Sequence, residues 1–395
     1  MKTSTSKRLR WNIAIWLAAG LFMTGAAGMA AGPIMPDPKA EARHQPQIEE
    51  TANGIPLVNI TAPSSGGVSR NEYETFNVPD KGAILNNSYT LSKTELAGYV
   101  QGNNNMAERP AKIIVNEVTG AGSTSMDGFL EVAGNRADVV IANPNGITVN
   151  GGGFINTGKA FLTTGKPVYD GEDHLQRFDI TGGDILIEGK GLGGKETESL
   201  AILSRAVKIN AGIWAKDLHI TTGANTVDAK TLEASAIEGK GGRPAFALDT
   251  AAIGGMYAGR ITLVGTEKGL GVNNSGTWSA EDNLILDWNG DLKNSGTIYS
   301  KGNTDLRASR LENDKTIAAE RNLSAAAKEN IRNQGKLLAG ENMDIYAGKT
   351  LDNAGHAMES GNNLSIETGD AINNAAGTIK SGGSQQIKAG HALTN

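Results

Sequence analysis

The chain of 395 residues has no cysteine, which excludes disulfide bonds, thiolate metal sites and cysteine nucleophiles. Aromatic residues make up only 5% and prolines number 11, whereas glycine reaches 52. Beyond the first 31 residues, no apolar run is long enough to cross a bilayer. Helical periodicity is nearly absent, and the best candidate, residues 196–209, is equally compatible with two strands. Because 39% of the residues are hydrophobic, disorder is excluded, and many short strands joined by tight turns are predicted.

Positive charge is also scarce. The chain has 37 Lys and Arg against 42 Asp and Glu, and without the four cations near its N-terminus the balance is 33 − 42, or −9. An acidic surface repels a phosphate backbone, so nucleic acid is not expected as a partner. The charge instead suits a soluble extracellular surface.

The first 67 residues read as a signal followed by a linker. Basic residues between Lys2 and Arg10 precede an apolar run from Trp11 to about Phe22, and small residues follow up to Ala31. This pattern predicts a cleaved signal peptide over residues 1–31, and therefore a secreted protein. Residues 32–67 are proline-rich and mixed in charge, and we expect a linker there.

A repeat of about 20 residues runs through the last third of the chain. Each copy has an apolar lead residue with asparagine two positions later, and the leads stand 20, 19, 20, 20, 21 and 21 positions apart. A fixed period of this size indicates one structural unit stacked many times. The lead residues are Val272, Leu292, Leu311, Ile331, Leu351, Ile372 and Leu393.

Each repeat reads as one coil of a parallel β-helix. A second strand is predicted about 12 residues after the lead, as at Leu284, Leu323, Met343 and Leu364. The coils then stack at the spacing of paired strands, about 4.8 Å. Asparagine suits the corners because it tolerates left-handed backbone angles and because stacked amides can bond from coil to coil. The denser leucine pattern of a leucine-rich-repeat horseshoe is missing.

The sharpest single motif is Asn143-Pro144-Asn145-Gly146-Ile147, which lies between two predicted strands. Asn at the first position, Pro at the second and Gly at the fourth are the preferences of a type I turn. Three glycines, Gly151 to Gly153, follow and permit a bulge or a close backbone approach.

This motif and its surroundings resemble the N-terminal domain of two-partner secretion exoproteins, which include filamentous haemagglutinins, contact-dependent growth inhibition proteins and secreted haemolysins. The resemblance covers residues 68–275, with haemagglutinin-type repeats over 276–395. The matching stretches are Phe76-Asn-Val, Asn86-Asn-Ser, Glu131 to Asp138, Asn143 to Ile147, Leu162 to Gly165, Ser204 to Ala215, Gly223 to Asn225, Leu248-Asp-Thr, Gly254 to Ala258 and Gly265 to Gly269.

The resemblance implies an all-β fold, a right-handed parallel β-helix (β-solenoid) with an N-terminal cap. It also implies recognition in the periplasm by a dedicated outer-membrane transporter, after which the chain folds outside the cell. Two departures favour adhesins or growth-inhibition proteins over haemolysins. The family's second Asn-Pro-Asn loop is replaced at Gly120 to Asp127, and a cysteine pair expected around Val149 and Gly152 is absent.

The role of residues 143–147 stays open between a structural turn and direct transporter contact. Direct contact predicts that replacing Asn143 and Asn145 blocks export and leaves the fold intact. After export, an adhesin binding a host or neighbouring-cell receptor and the N-terminal part of a growth-inhibition toxin are both compatible with the sequence.

No enzyme, cofactor or metal site is predicted. The run Gly189 to Gly194 fits a nucleotide-binding pattern, but a phosphate loop would need Ser or Thr in place of Glu196, and no βαβ unit surrounds it. The sequence Glu172-Asp173-His174 reads as a charged loop between strands. A polysaccharide-cleaving β-helix is the remote enzymatic alternative. It would need clustered carboxylates, whereas Asp291, Glu312 and Asp352 fall at shifting offsets.

Overall fold

The computed structural model describes residues 32–107 and 109–395, so the predicted signal peptide lies outside the described residues. Residues Pro33–Asn395 form one compact unit. Almost every regular element in it is a strand, and the two helices are single 3₁₀ turns, Ala42–His44 and Asn104–Met106. No helix in the described part of the chain is of a length and apolarity that would cross a membrane.

The strands wind into a solenoid with three parallel faces, which confirms the predicted β-helix with its N-terminal cap. In each C-terminal repeat the lead residue lies at the start of a strand of the third face. The chain then forms a strand of the first face, followed by a strand of the second face. Between the two ends of the solenoid, each strand of a face pairs with the strands one coil before and one coil after it. Three strands per repeat are present, at the upper end of the two or three expected.

The first face contains Gln47–Glu50, Pro56–Asn59, Ala83–Asn87, Phe129–Gly134, Gly152–Ile155, Leu192–Gly194, Thr277–Ala280, Thr297–Ser300, Thr316–Ala319, Lys336–Ala339, Ala357–Ser360 and Thr378–Ser381. The second face contains Ile34–Pro36, Val68–Phe76, Ile113–Val118, Ala137–Ala142, Thr157–Thr163, Ser199–Ser204, Leu284–Trp288, Thr304–Ala308, Leu323–Ala327, Met343–Ala347, Leu364–Thr368 and Gln385–Ala389. Two long strands, Gly212–Thr222 and Gly255–Gly265, belong to both faces.

The third face contains Thr124–Met126, Ile147–Val149, Asp184–Ile187, Ala206–Ile209, Phe246–Thr250, Gly271–Asn274, Leu292–Asn294, Leu311–Asn313, Ile331–Asn333, Leu351–Asp352, Ala371–Asn373 and Ala392–Thr394. Residues 196–209, for which the sequence left a helix and two strands open, therefore supply two strands, one on the second face and one on the third.

The linker predicted for residues 32–67 is wrong, because this segment is the cap of the solenoid. Ile34–Pro36 pairs antiparallel with Val68–Phe76 on the second face, and Gln47–Glu50 pairs antiparallel with Pro56–Asn59 on the first face. An unpaired strand edge would invite another chain to pair with it. The two antiparallel strands cover the edges of the first and second faces at this end of the solenoid.

Two small sheets lie outside the solenoid. The hairpin Ser92–Thr94 and Gly98–Val100 packs beside Ile84 and Ala133 of the first face. A four-stranded antiparallel sheet packs its Phe178 and Val227 against outward apolar residues of the second face. Its strands are Lys166–Tyr169, Leu175–Ile180, Asn225–Asp228 and Ala234–Ala236. These additions explain why the early coils carry apolar residues on both sides of their strands.

In the repeats, the corner after each third-face strand holds a column of asparagine side chains, which are buried except at the last member, Asn395. Each Nδ2 donates to Oδ1 of the asparagine in the next coil at 2.6–2.8 Å, which confirms the predicted bonding between coils. The predicted left-handed backbone is wrong at these positions, because none of them has a positive φ. They end strands instead. The column is Asn274, Asn294, Asn313, Asn333, Asn353, Asn374 and Asn395.

A second asparagine column lies at the corner before the second face, and it runs the opposite way. Here the Nδ2 atoms of Asn322 and Asn342 donate to Oδ1 of the asparagine in the preceding coil, at 2.8 and 2.9 Å. Asn363 continues the column at 3.2 Å. These asparagines recur in the sequence just before the second-face strand of the repeat. Their period could have been read from the sequence, but only the period of the lead residues was used.

Candidate functional site

The motif Asn143 to Ile147 forms the corner between Ala137–Ala142 of the second face and Ile147–Val149 of the third face. The amide of Gly146 donates to the carbonyl oxygen of Asn143 at 3.1 Å, which closes the four-residue turn predicted from the sequence. Gly146 has φ of +111°, and a Cβ atom there would lie 3.0 Å from a backbone oxygen of the next coil. Glycine is therefore required at this corner.

Asn143 fastens the turn to the preceding coil. Its side chain is fully buried, and Nδ2 donates to the carbonyl oxygen of Gly122 at 2.9 Å and to Oγ1 of Thr124 at 3.0 Å. Its Oδ1 accepts the backbone amide of Asn145 at 2.9 Å. Every polar atom of the side chain is thus satisfied inside the protein, as buried amides require.

Only Pro144 and Asn145 of the motif are exposed, and they form its tip. The Asn145 amide donates to the carbonyl oxygen of Gly120 at 2.8 Å, so the tip is held in one position. The segment Gly120 to Asp127, where the family's second loop was expected, is therefore the partner against which this turn is built. The tip has no titratable group and offers an exposed proline ring and an exposed asparagine side chain.

The other sequence patterns lie in turns. Gly189 and Gly191 have φ of +55° and +80° in a turn that leads into strand Leu192–Gly194, and no helix follows as a phosphate site would need. Glu172 to His174 lie in the loop joining two strands of the four-stranded sheet. Within residues 32–107 and 109–395, no three His, Asp or Glu side chains are gathered as a metal site would require.

Several carboxylates of the repeats are paired with cations of neighbouring coils. Asp291 lies 2.5 Å from Arg310, and along the third face Lys293, Glu312 and Arg332 occupy successive register positions with alternating charge. Opposite charges facing across paired strands stabilise the pairing. This placement gives no cluster of acids of the kind that glycoside cleavage needs.

Sequence reasoning missed a buried ionic group where the cap meets the second face. The Arg70 guanidinium lies 2.8 Å from Glu72 and 3.6 Å from Glu117, and it stacks over the Tyr169 ring at 4.4 Å. Burial raises the pKa of Glu117, although Arg70 opposes the effect, and burial lowers the pKa of His44, which contacts Glu72 at 3.0 Å. Arg70 and Glu72 share one strand, and strand pairing places Glu117 beside Glu72, whereas His44 comes from the cap and Tyr169 from the outer sheet. The group is assembled by contacts between these distant segments.

The early coils of the parallel solenoid carry a cap, a hairpin and an outer sheet. The family model described as TPS secretion domain matches residues 33–298, and the model described as Haemagglutinin repeat matches residues 299–356 and 344–395. The chain therefore belongs to the two-partner secretion family. The match begins at the cap, within the segment that the sequence suggested was a linker, and ends beyond residue 275.

Among its relatives, the chain is 42% identical to Toxin CdiA of Yersinia pestis over 298 residues, which is 70% of this chain and 9% of that protein. It is 40% identical to 16S rRNA endonuclease CdiA of Enterobacter cloacae over 314 residues, which is 79% of this chain and 9% of that protein. The chain thus spans about a tenth of these relatives.

The crystal structure of the filamentous hemagglutinin secretion domain superposes with a TM-score of 0.56 at 26% identity, covering 90% of this chain and 100% of that one. The chain is accordingly part of a two-partner secreted exoprotein, of the secreted, cell-surface kind found in Gram-negative bacteria.

Proposed function

We propose that residues 33–298 are the domain that a partner outer-membrane transporter recognises in the periplasm. The same residues then serve as the template on which the repeats fold outside the cell. The family match over these residues is the observation that carries the proposal. The role is one of transport and folding, with no catalysis by this part of the chain. The exported protein would act at the cell surface or beyond it.

The order of pairing supports the templating role. In the repeats, each coil pairs with its two neighbours, and paired residues lie about 20 positions apart, as with Leu292 and Leu311. Closing so short a loop on an ordered edge costs little entropy. Folding can therefore proceed coil by coil from the cap, and each folded coil hinders the return of the chain through the transporter.

The recognition role divides the motif in two. Asn143 is wholly buried, so it affects export by stabilising the fold. Pro144 and Asn145 are the residues whose side chains a transporter can contact. Replacing Asn143 and Asn145 together, the experiment that the sequence suggests, would confound the two roles. Single changes separate them.

A matched pair of substitutions in one strand tests the templating role. Leu286 is buried in the core, while its neighbour Ile285 is 40% exposed on the outer surface. We expect Leu286→Asp to leave the coils beyond it sensitive to protease and to slow release into the medium. Ile285→Asp should do neither. If both variants are released into the medium as fast as the parent chain, the proposal that folding drives export is wrong.

For the exported passenger, we infer toxin delivery to neighbouring cells in preference to adhesion. The relatives at about 40% identity are toxins and nucleases by name, and those activities belong to proteins about ten times longer than the matched part. A growth competition between cells with and without the full gene tests this inference. Loss of the advantage on deleting the gene supports delivery, whereas unchanged competition together with lost attachment to host cells supports an adhesin.

A further inference from the structure

A stripe of aromatic and small residues runs along the outside of the first face. In strand register it reads Phe129, Gly153, Gly193, Trp214, Tyr257, Ser279, Tyr299, Ala318 and Leu338. Eight coil-to-coil steps separate the first from the last, a length of about 38 Å at the spacing of paired strands. We call this set the aromatic stripe.

The rings of the stripe lie down on the sheet. A Cβ atom added to Gly153 would come within 2.4 Å of the Phe129 ring, and one added to Gly212 within 2.5 Å of the Trp214 ring. Tyr257 covers Gly255 in the same way, at 2.9 Å or less. A glycine beneath each of these three rings therefore leaves the space into which the ring folds, and the ring presents its face outward instead of its edge.

These rings stay accessible although they are large and apolar. Phe129 is 44% exposed and Tyr257 is 39% exposed. The planes of Trp214 and Tyr257 are within 17° of parallel, with their centroids 6.2 Å apart, so the two rings are close neighbours of similar orientation. Beyond Tyr299 the stripe continues as a shallow depression of about 550 Å³ that includes Ala318 and Leu338.

Polar groups border the stripe on both sides. Thr277, Thr297 and Thr316 form a column of half-buried residues along one border. Along the other border Glu281 pairs with Lys301 at 2.5 Å, and Glu320 accepts the hydroxyl of Tyr299. The mixed signs give no basic track for a polyanion.

We propose that the aromatic stripe binds a neutral β-linked glycan chain. The apolar C–H face of a pyranose ring packs against the electron-rich face of an aromatic ring, and its equatorial hydroxyls reach sideways to hydroxyl and carboxylate partners. Both kinds of partner lie beside the stripe from Ser279 to Ala318. Neighbouring coils are about 4.8 Å apart, close to the length that one sugar ring adds to an extended glycan, so successive sugars stay in step with successive coils.

Tryptophan fluorescence offers a direct test. Trp278 and Trp288 are buried, which leaves Trp214 as the one tryptophan of the described residues that a ligand can touch. With the purified secreted chain, cellohexaose or chitohexaose should shift the emission and protect Trp214 from acrylamide quenching. The same titration followed by calorimetry gives the affinity.

Variants locate the site. Trp214→Ala and Tyr257→Ala should each weaken binding about tenfold, the loss of one aromatic contact. Tyr346→Ala is the matched control, since Tyr346 is 50% exposed on the second face, away from the stripe, and it should bind like the parent chain. Melting temperatures of all three establish that they fold, and Trp214→Tyr should restore most of the affinity.

Two results would overturn the proposal: no response to either hexasaccharide, or a response that Trp214→Ala leaves unchanged. Export should be normal in the Trp214 and Tyr257 variants, because the stripe is separate from the turn at Asn143. If these variants instead lose export and binding to the isolated periplasmic part of the transporter, the stripe is a protein contact and the glycan site is rejected. The proposed export role would survive either result.

Discussion

The side chains of Asn143 and Thr124 are joined by a hydrogen bond of 3.0 Å, from Nδ2 to Oγ1, and both residues are buried. The bond ties one corner of the solenoid to the first strand of the third face, a coil earlier. Removing the amide leaves the buried hydroxyl of Thr124 without its donor, and it also takes one partner from the Gly122 carbonyl oxygen and from the Asn145 backbone amide. A buried polar group left in that state costs about 1–3 kcal/mol.

We therefore expect Asn143→Ala to lower the free energy of unfolding by about 1–3 kcal/mol, measured by urea denaturation of the purified chain. Pro144→Ala serves as the control, since that exposed side chain should change stability by less than about 1 kcal/mol. Equal stability of the two variants would contradict the fastening role of Asn143.

The exposed tip gives a separate prediction about export. Pro144→Glu adds bulk and charge outside the buried bonds, so a transporter that touches the tip should release much less of this variant into the medium, although its melting temperature is unchanged. Lys190→Glu, a charge change on the exposed turn one coil further on, should be exported normally. Normal export of the Pro144 variant would leave residues 143–147 with a structural role alone.

The buried asparagine column predicts a steep cost for breaking one rung. Asn333→Ala removes the acceptor of Asn313 and the donor to Asn353, bonds of 2.8 and 2.7 Å. We expect a loss of about 1–3 kcal/mol in urea denaturation. Asn363→Ala, in the exposed part of the second column, should cost distinctly less because water can replace its partners. A larger loss at Asn363 than at Asn333 would refute this ranking.

His219 predicts a dependence of stability on pH. Burial lowers the pKa of His219 from 6.5 to about 4, although nearby Asp217 opposes the effect. Below pH 6.5 the unfolded chain binds a proton that the folded chain does not, so the stabilising contribution is lost as pH falls from 6.5 towards 4. The upper limit is about 3 kcal/mol, reduced by the partial exposure of the ring.

His219→Gln, which can keep a hydrogen bond to Thr221, should flatten this part of the curve. The measurement is the difference in unfolding free energy between the two chains at pH 8 and at pH 5, since the other titrating groups contribute equally to both. A difference that does not change with pH would remove His219 as the cause.

The fold could be predicted from the sequence where one residue type recurs at one position. The lead residues and the asparagines two places later repeat at a near-constant period, and the structure stacks them in the same order. The turn at Asn143 was equally predictable, because its residues are those that a type I turn prefers at the corresponding positions.

Features that depend on contacts between distant segments were not predictable in this way. The cap segment reads as a linker because its proline and mixed charge describe a surface, and only pairing with Val68–Phe76 makes it a strand. The burial of Asn143 depends on where Gly122 and Thr124 lie. The aromatic stripe has no period in the sequence, since Phe129, Trp214 and Tyr257 come into line only through strand register.

The two asparagine columns have one more consequence, because their donors point in opposite directions along the solenoid axis. In an α-helix the peptide dipoles add from end to end and leave partial charges at both termini. Here the side-chain dipoles of one corner oppose those of the other, and the strands run across the solenoid axis, so their own dipoles do not add along it. Where both columns are present, an added coil therefore contributes opposed side-chain dipoles, and the axial field grows far less with length than it does in an α-helix.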